Sequence, residues 1–305
     1  QYVTRKIKKT TPKNFNEWVL QSFGAGFGKH FFFPYQEKIF SYNTKKLSAS
    51  WTGSFAPNTS FKGMITGAKK DSEDQIGYNS QFYYPKTGGI NFWVNKIYEQ
   101  LINPVHTGFE VKSINIKEKF ILFTNGHQEK YDQLITTMPL DSFIENSIEP
   151  ADMNLKSIKN KLLCNSVLNF NLGIKRDNLS DKHWIYYPET KYPFYRIGFW
   201  HNFSDSMAPA GHSSLYGEFS HLNKSKKEVA RLLEHTKNEA LKLFKISPDE
   251  IATEKTIYIK HAYVIYNHWR DNNINNILKR LEENDIYSVG RYGEWKYSSM
   301  QEAIL

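Results

Sequence analysis

A stretch near the end of the chain combines a cation, aromatic side chains and a helix start. It runs Ile286-Tyr-Ser-Val-Gly-Arg-Tyr-Gly-Glu-Trp-Lys-Tyr-Ser-Ser-Met-Gln-Glu302. Two glycines, of which Gly290 is the first, bracket Arg291, so the backbone can approach a ligand closely. Ser299 and Glu302 have the spacing of a capping box, which predicts a helix start that favours negative charge. This chemistry suits a phosphate or the carbonyl edge of a reduced flavin, and a buried aromatic turn explains the residues equally well.

Two other glycine-rich stretches could also expose backbone amides. Gly88 and Gly89 precede a helix whose apolar residues we expect on its buried side: Trp93, Val94, Ile97, Tyr98 and Leu101. The stretch 24–28 nearly matches a dinucleotide-binding loop, but it follows a helix and has Lys29 where the last glycine of the motif belongs. The second stretch is therefore interpreted as a hinge between two helices.

Composition narrows the class of protein. The 305 residues include 19 Tyr and 21 Phe, which suits a deep pocket that holds rings. The formal charge is +9, but the basic residues are scattered, which favours a phosphorylated small ligand or a solvated surface over nucleic acid. The single cysteine, Cys164, excludes an internal disulfide and indicates a reducing compartment. With no apolar run long enough for a bilayer and no signal peptide, we expect a cytoplasmic protein without an integral membrane segment.

The elements that would position these residues alternate irregularly, which predicts a mixed α/β fold of two interleaved domains. Helical spacing predicts helices over 14–24, 29–40, 226–244 and 274–283. Alternating and apolar runs predict strands over 109–116, 120–124, 131–140, 166–174, 183–187, 195–200, 214–220 and 256–265. The histidines show no convincing spacing for metal ligands, so no metal site is expected.

Five segments in this order resemble the UDP-galactopyranose mutase family, within the FAD-dependent amine-oxidase-like and protoporphyrinogen-oxidase-like superfamily. One is the stretch that begins at Ile286. The others are Phe-Phe-Pro-Tyr-Gln-Glu-Lys-Ile-Phe at 32–40 with Trp51 downstream, Tyr-Pro-Lys-Thr-Gly-Gly at 84–89, Tyr-Asp-Gln-Leu-Ile-Thr-Thr-Met-Pro-Leu at 131–140, and Trp-Ile-Tyr-Tyr-Pro-Glu-Thr-Lys-Tyr-Pro-Phe-Tyr-Arg at 184–196. The similarity extends from Asn14 to Leu305.

The resemblance implies an FAD-binding Rossmann-like domain, interleaved with an antiparallel-sheet substrate domain and a helical insertion. Residues 14–80 would form the insertion, 81–140 with 286–305 the remainder of the FAD-binding domain, and 141–285 the substrate domain. The family's glycine-rich dinucleotide fingerprint is absent. The resemblance therefore predicts that this sequence lacks the first FAD-binding unit.

The resemblance also implies the activity and the residues that serve it. The family binds FAD and contracts UDP-galactopyranose to UDP-galactofuranose through an adduct of the flavin N5, for surface polysaccharide synthesis, so no side chain is the nucleophile. Arg196 matches the diphosphate arginine. The other residues implied to bind the nucleotide sugar are Trp184, Tyr186, Tyr266, Tyr297, Phe31 and Gln36. Those implied to bind FAD are Gly88, Gly89, Val111, Gly290, Arg291, Met300 and Gln301.

One departure from the family leaves alternatives open. Trp51-Thr-Gly-Ser-Phe55 has Phe55 where the family has a further arginine for the diphosphate, which raises the possibility of another substrate. The second hypothesis for the function, after the mutase, is an FAD-dependent oxidoreductase of the amine-oxidase type. The third is a non-catalytic fragment. The resemblance implies no nucleic-acid partner and leaves a homo-oligomer open.

Overall fold

A computed structural model describes residues 10–52, 65–66, 82–150 and 153–303. Its helices are α1 (Phe15–Ser22), α2 (Gly24–Phe27), α3 (Phe33–Phe40), α4 (Asn91–Tyr98), α5 (Leu140–Asn146), α6 (Lys226–Leu243), α7 (His268–Glu282) and α8 (Gly290–Gly293). Its strands are β1 (Val111–Asn115), β2 (Phe120–Phe123), β3 (Gln128–Lys130), β4 (Leu134–Thr136), β5 (Ser147–Ile148), β6 (Ser166–Ile174), β7 (Trp184–Tyr186), β8 (Arg196–Gly198), β9 (Ser213–His221), β10 (Ile251–Ile259) and β11 (Ile286–Ser288). The mixed α/β class predicted from the sequence is confirmed.

The strands form three sheets of different character. The largest is antiparallel, with the strand order β10-β6-β9-β8-β7. A four-stranded sheet has the order β3-β2-β1-β5, in which β1 and β2 form the predicted hairpin and β5 runs parallel to β1. The remaining pair, β4 and β11, is parallel. Because β11 leads directly into α8, this pair fixes the position of the glycine-bracketed arginine.

One face of the five-stranded sheet is closed by α6. The side chains of Phe170 and Leu172 on β6 are buried against Ala240 of that helix. A capping box formed by Ser225 and Glu228 starts α6, as each side chain bonds the other residue's backbone amide. The opposite face carries polar side chains, and it is this face that bears on function.

The N-terminal helices correct the hinge expected at 24–28. Asn14 caps α1, and its side chain accepts a hydrogen bond from the amide of Glu17 at 2.9 Å. Gly24 then turns the chain through a positive φ of 80°, and the following glycines are helical. At Gly28 a Cβ would lie 2.8 Å from the ring of Phe33, so the missing side chain makes room for that ring. A single π-helical turn therefore connects α2 to α3, with no hinge.

The apolar side of α4 is exposed, contrary to the expectation that it is buried. The exposed fractions of Val94, Ile97 and Tyr98 are 48%, 43% and 57%, and Leu101 just beyond the helix is 51% exposed. Trp93 is half-buried. Helical periodicity predicts an apolar face, but it does not say what covers that face. None of the described residues covers this one.

The boundaries of two other elements differ from their predictions. β10 occupies 251–259 instead of 256–265, because its first half is a polar strand whose pattern gives little sign of burial. α7 begins at His268, six residues before the predicted start, where Asn267 caps it by accepting from the amide of Arg270 at 2.8 Å. No helix among the described residues has both the length and the apolarity needed to cross a membrane.

Candidate functional site

Arg196 lies in a row of side chains that crosses the five-stranded sheet. Tyr186 on β7, Arg196 on β8, Glu218 on β9 and Asn169 on β6 are direct partners in register. Directly opposed residues of an antiparallel sheet point to the same face. The row is therefore a continuous polar surface on the face that α6 leaves uncovered.

Glu218 fixes the guanidinium of Arg196. Its Oε2 lies 2.6 Å from Nη2 and accepts from Nε at 2.8 Å, while Asn169 donates to Oε1 at 3.2 Å. Burial opposes the charge of the arginine, but the Glu218 carboxylate holds the pKa of Arg196 well above its usual value. Nη1 forms no hydrogen bond with a described residue, so the cation retains donors for an incoming anion.

Tyrosines surround this ion pair, and together with Tyr297, which stacks on one of them, they form the group that we call the tyrosine cluster: Tyr35, Tyr186, Tyr195, Tyr216, Tyr263 and Tyr297. The ring of Tyr35 lies 5.1 Å from Tyr186 and stacks on Phe31 at 5.2 Å. Further ring contacts join Tyr35 to Tyr195 and Tyr195 to Tyr263, and Tyr263 stacks on Tyr297 at 6.0 Å between ring centres. These contacts connect the arginine on β8 with the segment that follows β11.

Burial also keeps three members of the cluster in their neutral form. It raises the pKa of Tyr35, Tyr195 and Tyr216 above the ordinary tyrosine value, and the nearby Arg196 only partly opposes this. Their hydroxyl groups therefore keep their protons at neutral pH. A cation among neutral phenols is an arrangement of donors that suits a phosphate or diphosphate group.

Arg291 lies at the other end of the cluster. Its Nη1 donates to the carbonyl of Ser298 at 2.8 Å and its Nη2 to the carbonyl of Ala262 at 2.9 Å. The guanidinium carbon lies 4.6 Å from the centre of the Tyr297 ring and 5.5 Å from that of Tyr263. Aromatic faces and backbone carbonyls thus hold this cation rigidly.

Three buried donors in this segment have no partner among the described residues: Nε of Arg291, Nε1 of Trp295 and the hydroxyl of Ser298. Buried polar groups in folded proteins normally have partners, so Nε of Arg291 and the hydroxyl of Ser298, at the tyrosine cluster, indicate a polar group that is not part of the described chain. A flavin carbonyl edge has the acceptors that they require. The residues here therefore fit the flavin end that the resemblance implies.

The segment with Gly88 and Gly89 lies near the other end of β7. Both glycines have positive φ values, 76° and 61°. Ser204 donates to the carbonyl of Lys86, which attaches the segment to the loop after β8. In the same region, Phe82 contacts the ring of Trp184 at 5.7 Å between centres. Trp184 precedes Tyr186 by two residues, so both side chains point to the same face of β7.

Tyr266 contacts the backbone of Tyr297. Its hydroxyl accepts a hydrogen bond from the amide of Tyr297 at 2.7 Å, and Arg270 lies 3.9 Å from its ring centre. The exposed fraction of Tyr266 is only 8%. Tyr263, three residues earlier, is the tyrosine of this segment that stacks within the cluster.

In the described part of the chain, none of the other predicted site residues makes a side-chain hydrogen bond or a ring contact with the cluster. Val111 is half-buried at the start of β1, in the four-stranded sheet, and Gln36 is half-buried on α3. The amide of Gly290 is occupied, because it donates to Glu294 at 3.0 Å. Met300 and Gln301 are exposed in a turn closed by the expected pairing of Ser299 with Glu302. Phe55 lies outside the described residues.

Sequence reasoning missed six residues of the polar row and the tyrosine cluster: Tyr35, Tyr195, Tyr216, Tyr263, Asn169 and Glu218. Tyr35 stands inside the segment 32–40 that carries the resemblance, and Tyr263 is offset by three positions from the tyrosine that was chosen. Tyr216 and Glu218 alternate along β9, where a carboxylate among apolar strand residues could have indicated a buried ion pair. None of the described residues forms a cluster of His, Cys, Asp or Glu that could hold a metal ion.

Lys38 joins α3 to the loop that follows Tyr186, and its ionisation predicts how the free energy of unfolding depends on pH. Its ammonium donates to the carbonyls of Tyr187 and Glu189 at 2.5 and 3.0 Å. Burial lowers the pKa of Lys38 from 10.5 to about 8, against the opposing charge of Glu189. Between these two values the unfolded chain binds more protons than the folded one, so this residue makes the free energy of unfolding rise with pH.

We expect the free energy of unfolding of the wild type to rise relative to that of Lys38→Met as the pH increases from 8 to 10. Parallel denaturant titrations at several pH values measure this difference, and ¹³C-labelled lysine gives the midpoint directly by NMR. A Lys38 midpoint near its ordinary value, or a difference that does not change with pH, would contradict the assignment.

Comparison with known proteins gives the fold family. No family model matches the sequence. A solved structure of reduced UDP-galactopyranose mutase superposes with a TM-score of 0.84 at 26% identity, covering 95% of this chain and 64% of that one. A protein assigned as a protoporphyrinogen oxidase from Exiguobacterium sp. 255-15 gives 0.68 at 12% identity, over 95% and 65% of the two chains.

A fatty acid isomerase from P. acnes that produces CLA shares the fold at a TM-score of 0.63 and 13% identity, over 98% of this chain and 65% of its own. The chain thus spans about two thirds of the length of the structures that it matches. It therefore shares the fold of UDP-galactopyranose mutase and of a protein assigned as a protoporphyrinogen oxidase, as its resemblance to the FAD-dependent amine-oxidase-like superfamily implies.

Proposed function

We propose that this chain carries the nucleotide-sugar site of an FAD-dependent mutase that converts UDP-galactopyranose to UDP-galactofuranose in surface polysaccharide synthesis. The observation that carries the proposal is Arg196, a cation held by Glu218 among the neutral hydroxyl groups of the tyrosine cluster. An oxidation of a C–N or C–C bond needs no such arrangement. The departure of a diphosphate does, because negative charge develops on its oxygens.

Each part of the site has a role in this reaction. Arg196 binds the diphosphate of UDP and stabilises its charge when the bond to the sugar breaks. Tyr186 and Tyr263 donate hydrogen bonds to the same oxygens, and Glu218 keeps the guanidinium in position. Because the diphosphate stays bound, it can return to the sugar after the ring has changed size. The buried rings of the cluster exclude water, which would otherwise hydrolyse the sugar.

The cofactor end of the site follows from the second arginine. When FAD is bound, its reduced ring supplies the nucleophilic nitrogen that the reaction requires. The Nε of Arg291 and the hydroxyl of Ser298 would donate to the carbonyl edge of the ring, and the charge of Arg291 would stabilise the electron-rich reduced form. Gly88 and Gly89 allow the backbone beside the sugar to approach the ring closely.

The test uses a protein that contains the whole chain and has been loaded with FAD. The flavin is reduced without oxygen, UDP-galactopyranose is added, and the nucleotide sugars are separated by chromatography. The proposal predicts a UDP-galactofuranose peak that requires reduced flavin. If no such peak forms while an amine or unsaturated substrate bleaches the oxidised flavin, the protein is an oxidoreductase instead.

Binding experiments separate the two halves of the proposal. Titration with UDP reports on the site around Arg196, and titration with FAD reports on the site around Arg291. Binding of FAD without UDP would contradict the nucleotide-sugar assignment alone. Binding of UDP without FAD would leave a nucleotide-sugar-binding protein and contradict the mutase reaction.

A further inference from the structure

A polar cavity lies on the face of the five-stranded sheet opposite to the polar row. It has a volume of about 520 Å³ and is lined in part by Ser166 and His221, which are partners in register at the ends of β6 and β9. Each lies three residues from its strand's member of the polar row, Asn169 and Glu218. Successive side chains of a strand alternate between faces, so this cavity and the site around Arg196 lie on opposite faces.

Three lysines give the cavity its charge. Lys159, Lys224 and Lys260 line it from three different segments of the chain. Lys159 is paired with Glu145 at 2.6 Å, whereas the other two form no ion pair with a described acidic residue. The one acidic residue of the lining, Asp141, is bonded to His261 at 3.0 Å. Two lysines without a close ion-pair partner among the described acidic residues therefore line a space large enough for a small molecule.

His221 supplies the observation that points to a ligand. Its exposed fraction is 4%, and neither ring nitrogen has a hydrogen-bond partner among the described residues. The ring stacks on Tyr258 at 5.9 Å, which fixes its plane beside the cavity. A buried imidazole with two unused nitrogens is costly unless something bonds to it. His221, Lys224 and Lys260 line the same cavity, so a ligand bound there would lie beside the imidazole.

We infer that this cavity binds a small organic phosphate, with the phosphate group held by Lys224, Lys260 and the imidazole of His221. Lysine ammonium groups bind phosphate as point charges, and an imidazole N–H adds a directed bond. The volume admits a group of sugar size beyond the phosphate, next to the rings of Tyr258 and His261. This inference is independent of the proposed mutase reaction.

Burial and the charge of Lys224 lower the pKa of His221 in the free protein. A bound phosphate opposes both causes, so its arrival favours the protonated ring. Tyr258 stacks on this ring, and the other charged or titratable groups that line the cavity with it are Lys224, Lys260, Lys159, Asp141, Cys164 and His261. The NMR signals of His221 should therefore respond strongly to the ligand.

The test follows the histidine side chains of the full chain by NMR, with the His221 signal assigned from a His221→Gln variant. Glucose 6-phosphate and inorganic phosphate are the probes, and glucose is the uncharged control. We expect a saturable shift of His221 with both phosphates, tighter for the sugar phosphate, and none with glucose. Absence of saturation with either phosphate would overturn the inference.

Variants show whether the binding belongs to this cavity. The double variant Lys224→Ala/Lys260→Ala should weaken glucose 6-phosphate binding by at least about tenfold. Lys112→Ala/Lys130→Ala removes the same charge from exposed positions of the four-stranded sheet and should leave binding unchanged. Arg196→Ala should leave the response of His221 unchanged too. If the two double variants lose the same affinity for glucose 6-phosphate, the effect comes from net charge alone and the proposed site is wrong.

Discussion

Replacement of Arg196 by alanine is expected to weaken UDP binding by about 100-fold, because two charge-assisted hydrogen bonds to the diphosphate are lost. The loss should be larger still for turnover, since the diphosphate carries most charge when the bond to the sugar breaks. Isothermal titration with UDP and the chromatographic assay measure the two effects separately. The variant leaves Glu218 as a buried carboxylate without its cation, so Arg196→Met with Glu218→Gln serves as a second, charge-balanced version.

Two further variants separate the charge of Arg196 from its geometry. Arg196→Lys keeps the cation but loses the planar fork that bonds Glu218 through two nitrogens, so we expect an intermediate loss of affinity. Arg176→Ala removes an arginine that also pairs with a glutamate, Glu250, but contributes no side chain to the polar row. It should bind UDP as the wild type does. If both alanine variants lose affinity equally, the diphosphate assignment is wrong.

Helices and strands could be predicted from the sequence where they depend on interactions between residues close together in the chain. The helix that begins after Asn14, the pairing of Ser299 with Glu302 and the strand over 166–174 each depend on interactions within a few residues. The exposed side of α4 shows the limit of such reasoning. The spacing of Val94, Ile97 and Leu101 specifies a face, while burial depends on which other segment packs there. The helical conformation at 24–28 was missed for a similar reason, since the ring that fills the space of Gly28 belongs to the next turn.

Site residues could be predicted from the sequence where a segment contains a single residue of the required type. Arg196 and Arg291 are isolated cations in aromatic segments, and both lie at the tyrosine cluster. The choice between Tyr263 and Tyr266 could not be made from the sequence, because both stand in one apolar segment and their orientation depends on the contact with Tyr297. Glu218 was missed because a pairing across three strands requires the register, which the sequence does not contain.

The register of β6, β9 and β8 also explains why a glycine, Gly217, precedes Glu218. Gly217 is flanked in the sheet by Phe170 on β6 and Ile197 on β8. A Cβ at this position would lie 2.3 Å from the ring of Phe170 and 2.9 Å from the side chain of Ile197. Both side chains have an exposed fraction of 0%, so neither can move into solvent. The absence of a side chain at Gly217 is therefore a requirement of the core that supports Glu218.

Gly217→Ala is accordingly expected to lower the free energy of unfolding by about 1–3 kcal/mol through overpacking, and to weaken UDP binding because Glu218 shifts with its strand. Denaturant unfolding and UDP titration of the same protein measure both effects. Gly26→Ala is the matched control: a Cβ there has no atom within 4 Å, and alanine in a helix should stabilise by about 0.5–1 kcal/mol. Phe170→Leu in the Gly217→Ala background removes the ring that clashes. Recovery of stability in that double variant would identify the contact, whereas a further loss would show that the strain lies elsewhere.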